Sequence, residues 1–225
     1  MAGNFSDPED IDFEAHKAKI MVFGAGGGGS NTINRLTEMN IQGAKTVALN
    51  TDARHLKMVN AHDKILMGKE LTRGLGAGGY PEIGKRAAEE SKSDITRYLE
   101  GCDLLFLTCG LGGGTGTGAS PEIAKYAKQA GAIVISTVTL PFKMEGARVA
   151  KAEEGLMRLR DASDTVIVIE NQKLVESKGG IVFIGTHLFS GLSSAMRKKF
   201  NTYEIGDIVA NTLRVFGQGM KVVSS

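Results

Sequence analysis

Apolar residues in this chain come in short, nearly continuous runs, and glycine follows most of them. AKIMVFGA (18–25), KTVALN (45–50), DKILMG (63–68), CDLLFLTCG (102–110), AIVISTVTLPF (132–142) and DTVIVIE (164–170) each read as a buried strand. Between them the apolar period changes to a helical one. SNTINRLTEMN places Ile33, Leu36 and Met39 on one face, and Pro81 suits a first helical turn at PEIGKRAAEE. SKSDITRYLEG follows with Ser or Asp as its cap, and SPEIAKYAKQAGA and MEGARVAKAEEGLMRLRDAS complete the helices. Strand, loop and helix alternate about six times, which predicts an α/β fold. The expected architecture is a doubly wound, mostly parallel six-stranded sheet with helices on both faces. A ligand then belongs at the carboxyl ends of the strands.

Outside that rhythm the pattern weakens. Residues 1–17 are polar and acidic and read as a leader, leaving 18–225 as one domain. An atypical segment spans 179–200: a short apolar run, Ile181–Ile184, then small residues and the basic cluster Arg197, Lys198 and Lys199. TYEIGDIVANTLRVFGQGM reads as a helix with Ile205, Ile208, Val209, Leu213 and Phe216 on one face.

Composition narrows the function classes. A formal charge of +2 gives no electrostatic reason to expect nucleic acid as a partner. The first residues lack a signal-peptide pattern, and no apolar stretch approaches the ~20 residues of a transmembrane segment. Cys102 and Cys109, the two cysteines, lie in or beside one apolar run and read as small core residues of a cytoplasmic protein. The 30 glycines are clustered, which points to sites made by backbone.

The barest cluster is GLGGGTGTGAS at Gly110–Ser120. A strand leads in and a helix leads out, unlike a flexible linker. Glycines let successive N–H groups turn inward around phosphate oxygens, and a helix start adds its positive dipole end. Thr115 and Thr117 add hydroxyls at little bulk. The first cluster offers Gly24, Gly26 and Gly29 as G-x-G-x-x-G, with Asp52 further on, the dinucleotide fingerprint. A third cluster, TRGLGAGGYPE at Thr72–Glu82, suggests a triphosphate rather than one pyrophosphate. No Walker G-x-x-x-x-G-K-[ST] occurs.

GGGTGTG (112–118), TRGLGAGGYPEIGKRAAEES (72–91) and NTDA (50–53) together resemble FtsZ, the prokaryotic tubulin-like cell-division GTPase family. TLPFKMEG, AEEGL and DTVIVIENQKL stand in that family's order. The resemblance implies GTP or GDP as ligand, Mg2+ held mainly by phosphates and water, and self-association into filaments in a full-length form. It implies that Gly26, Gly27, Gly28 and Asn31 belong to a first nucleotide loop, and Asn50, Thr51 and Asp52 to a second. Ala77, Gly78 and Gly79 would surround the γ-phosphate. Gly110 and the run Gly112, Gly113, Gly114, Thr115, Gly116, Thr117 and Gly118 would cradle the α- and β-phosphates. Pro141 belongs to the same set. Glu145 and Arg148 resemble a pair that contacts ribose and phosphate, although EGARVAKAEEGL is one residue shorter than the family pattern. Asn171, Tyr203 and Asp207 resemble the residues that read and stack on guanine; an amide and a carboxylate together match the guanine edge.

In that family, aspartates from a neighbouring subunit position the attacking water, and no matching motif follows Met220. The expectation is therefore GTP binding with weak or absent hydrolysis by this chain alone. Two other readings stay open: an NAD(P)-dependent oxidoreductase built on the first loop, and a non-hydrolysing regulatory or structural protein of the same family.

Overall fold

The computed structural model of the chain describes residues 18–171. Its strands are β1 (Ile20–Ala25), β2 (Ala44–Asn50), β3 (Asp63–Leu66), β4 (Leu104–Gly110), β5 (Ile133–Leu140) and β6 (Thr165–Glu170). Its helices are α1 (Gly26–Glu38), α2 (Ala53–Met58), α3 (Lys69–Thr72), α4 (Pro81–Glu90), α5 (Lys92–Leu99), α6 (Thr115–Gln129) and α7 (Ala147–Ala162). A 3-10 turn occupies Lys143–Glu145. The strands form one sheet ordered β3-β2-β1-β4-β5-β6, and every pairing is parallel.

Alternate residues of each strand feed two cores. Met21 and Phe23 of β1, with Leu105 and Leu107 of β4, pack under α4, α5, α6 and α7. Ile20 and Val22, with Leu104 and Phe106, pack under Ile33 and Leu36 of α1 and Leu56 of α2. Burial on both faces is why these strands read as unbroken apolar runs. Phe23 and Phe106 are among the largest fully buried side chains, and truncating either to alanine would cost about 3–5 kcal/mol. Both cysteines are buried and unpaired in the first core. Burial pushes the Cys102 thiol up to about 11 and the Cys109 thiol up to about 12.

Two helix starts and one cap differ from the sequence reading. The first helix starts at Gly26, not Ser30, because Gly26 turns the chain in a single residue at φ 70°. The fourth strand's helix starts at Thr115, so half of the presumed glycine loop is helical and Pro121 lies inside the helix. Ser91 holds the cap position of α5, but its hydroxyl accepts from Gly68 N at 3.0 Å instead of from α5. The leader, the 179–200 segment, the 202–220 helix, Tyr203 and Asp207 lie outside the described residues.

Candidate functional site

The strand order reverses between β1 and β4, which opens a crevice at their carboxyl ends. There α1 and α6 both begin. A Cβ on Gly26 would lie 2.6 Å from Gly116 N, and one on Gly116 would lie 2.7 Å from Gly110 O. One on Gly28 would lie 3.0 Å from Gly110 N. The two helix ends therefore touch backbone to backbone, a contact that side chains would hold apart.

Neither end is capped. Ala25 and Gly114 supply no capping side chain, and neither first turn holds an acidic residue. The first N–H groups of a helix have no partner within it, and its N-terminus carries partial positive charge. Two such ends converge here. Three neighbouring helices are treated differently: α2 is capped by Asp52, α4 carries Glu82 and α5 carries Asp94 in the first turn, whereas α7 also begins uncapped and free of acid. Above the uncapped pair the surface is clear, since a Cβ on Gly27 or Gly113 would meet nothing within 4 Å. Uncapped ends, bare backbone and open space together suit an anion, which makes this the candidate site.

The second stretch is fixed from β2. Asn50 Oδ1 accepts from Thr51 N at 2.8 Å and Asp52 N at 3.3 Å. The Thr51 and Thr115 hydroxyls lie 2.7 Å apart, tying this turn to the start of α6. Asp52 Oδ1 accepts from Arg54 N at 2.9 Å and His55 N at 3.0 Å, so this oxygen holds α2.

The third stretch lies against the second and the fourth. Asp52 and Leu75 form an isolated bridge, and Gly76 N donates to Thr51 O at 3.1 Å. Ala77 is buried: a Cβ on Gly114 would come within 2.9 Å of its Cβ. Gly78 and Gly79 are exposed at positive φ, 59° and 77°. Lys151 of α7 donates to Gly79 O at 2.8 Å, with its ammonium 5.6 Å from the Tyr80 ring centre. Gly112, at φ 95°, gives its N–H to Thr117 Oγ1 at 2.9 Å. A Cβ on it would lie 2.8 Å from Arg148 O and 3.2 Å from Pro141 Cγ. Glu145 accepts from Phe142 N at 2.8 Å and pairs with Arg148 at 2.8 Å.

The residues expected from sequence between Gly26 and Arg148 thus share the carboxyl edge of the sheet. Asn171 directly follows β6, two strands from β4 on that edge. Asn31 and Asn50 are joined through His55, which sequence reasoning passed over, as it did Lys151. Neither carries a motif signal: each matters through an element distant in sequence. The strand order is also that of dinucleotide folds, so architecture alone does not choose between the readings.

Residues 19–179 match the GTPase domain of the Tubulin/FtsZ family. The chain is 56% identical over 163 residues to cell division protein FtsZ 2 of Methanocaldococcus jannaschii, covering 72% of this chain and 43% of that one. It is 61% identical over 164 residues to cell division protein FtsZ 1 of Pyrococcus abyssi, covering 72% and 44%. The chain therefore spans less than half the length of these relatives. Among solved structures, an empty FtsZ dimer of M. jannaschii superposes with a TM-score of 0.71 at 48% identity, over 85% of this chain and 55% of that one. A GTPγS-bound protofilament of CetZ2 from Haloferax volcanii gives 0.64 at 26% identity, over 73% and 52%.

Proposed function

The chain belongs to the Tubulin/FtsZ family, and from that premise we propose that it binds GTP and GDP at the junction of α1 and α6 as the nucleotide domain of a cytoplasmic cell-division filament. The observation that carries this reading is the pair of uncapped, acid-free helix N-termini meeting at Gly26 and Gly116.

Each residue group has a part. N–H groups around Gly112–Gly118 take the α- and β-phosphates, and the Gly27 surface leaves room for them. Gly78 and Gly79 are assigned to the γ-phosphate, the contact that would distinguish GTP from GDP, and Lys151 holds the Gly79 carbonyl. Arg148 and Glu145 are assigned to ribose and phosphate. Asn171, with Tyr203 and Asp207, selects guanine. Mg2+ would draw its oxygens from phosphate and water; among the described residues no three His, Cys, Asp or Glu side chains converge.

No described residue is given the role of general base. Attacking water is to be positioned by a neighbouring subunit, so isolated chains bind with weak turnover, and hydrolysis loosens the longitudinal contact through loss of γ-phosphate contacts. Denaturing the purified protein and chromatographing the released nucleotide tests the reading. Guanine nucleotide is expected; a nicotinamide dinucleotide, or no binding of added GTP, would overturn it.

A further inference from the structure

Asn31 and Asn50 belong to different stretches of the site, and one imidazole joins them. His55 Nδ1 lies 3.1 Å from Asn50 Nδ2, and His55 Nε2 lies 3.0 Å from Asn31 Oδ1. The Asn50 amide is oriented by its other contacts: its oxygen already accepts from Thr51 N and Asp52 N. Its nitrogen must then donate, so His55 Nδ1 accepts. The ring proton accordingly sits on Nε2 and donates to Asn31 Oδ1. The backbone that carries the imidazole is anchored as well, because His55 N donates to the Asp52 cap at 3.0 Å.

We infer that His55 is a positioning residue that fixes the first nucleotide stretch against the second, an inference that rests on the guanine-nucleotide reading of the site. The chain of contacts runs further. Asn50 shapes the turn that carries Thr51, and the Thr51 hydroxyl reaches Thr115 at the start of α6. Asp52 in turn pairs with Leu75 in the third stretch. Asn31, on the exposed side of α1, is thereby placed by a residue of α2, at a separation that the imidazole width sets. His55 touches no phosphate in this scheme; it acts through the two asparagine amides.

The test uses the full chain with a fluorescent guanine nucleotide, together with nitrogen NMR of the imidazole. His55→Ala is expected to bind about tenfold more weakly, the scale of coupling within a side-chain network. The wild-type ring is expected in the Nε2–H form, and Asn31→Ala is expected to reduce that preference, which mere packing of the ring would not do. Wild-type binding with an unchanged affinity in His55→Ala overturns the inference and leaves the nucleotide reading standing. A wild-type chain that binds no guanine nucleotide overturns both. If His55→Ala does not fold, the tautomer decides: a ring in the Nδ1–H form, or one indifferent to Asn31→Ala, overturns the inference.

Discussion

Glycine is used in two opposite ways within 20 Å-scale reach of the same helix, α6, whose fifteen residues span about 22 Å. Where α6 crosses α4, glycine makes room for protein. A Cβ on Gly118 would strike the Pro81 carbonyl and come 2.7 Å from Lys85 N, and one on Gly84 would strike the Gly114 carbonyl. At the free ends of α1 and α6, Gly27 and Gly113 make room for nothing in the chain. The first set is filled by a neighbouring helix and the second faces outward. Identical residues in one run therefore separate into those that build the scaffold and those that leave a surface bare.

Substitution should divide the two sets. Gly118→Ala is expected to lose about 3 kcal/mol, since the colliding atom is backbone and cannot swing away. Thermal melting would read this as a large fall, and an unchanged melting temperature would erase the distinction. Gly27→Ala should leave stability level or raise it by up to about 1 kcal/mol, because alanine favours the helix. Calorimetric titration should nevertheless find guanine nucleotide bound about tenfold more weakly, the loss from obstructing one or two charge-assisted bonds. Gly113→Ala should weaken binding in the same direction.

The third test concerns the wall behind the bare surface. Burial raises the Cys109 thiol to about 12 from an ordinary 9.0, so the folded state keeps its proton while the unfolded chain gives it up. Stability is therefore unaffected below about pH 9 and falls from there toward pH 12. Urea unfolding at pH 8 and pH 10 should differ by about 1 kcal/mol from this group, and Cys109→Ala should shrink the difference. The smallest effect is expected at Arg148, whose side chain is 63% exposed in its pair with Glu145. Arg148→Ala should change unfolding free energy by less than about 1 kcal/mol. A larger change would mean that the arginine is part of the scaffold and not only of the bare edge.

The sheet was legible because strands buried on both faces are nearly continuous apolar runs, as β1 and, apart from Thr108, β4 are. Their carboxyl ends were legible as a site because a glycine cluster follows each of the two strands. What the sequence could not reveal was the division among those glycines. Gly113 and Gly114 are adjacent and identical, yet one faces open space and the other abuts Ala77, Tyr80 N and Gly79 N. Only the seating of the 77–80 stretch against the start of α6 decides that. Helix starts were misplaced for a related reason: glycine's low helix propensity argued for loops at 26–29 and 115–118, and tertiary contact between the helix ends overrode it. His55 and Lys151 were invisible because their partners, Asn31 and Gly79, sit on other elements.

The pairing of β1 with β4 also sets an order of events during synthesis. Ile20 finds β2 early, but its other neighbour, Leu104, comes much later in the chain. At ~5–20 residues per second, on the order of ten seconds separates their emergence from the ribosome. Through that interval β1 keeps one unpaired edge, an invitation to mispairing, and the late, non-local closure makes this step slow. The meeting of Gly26 with Gly116 waits on the same event. The chain thus acquires its proposed anion-binding corner only when its central strands join, and on that proposal an early nucleotide has nothing to grip.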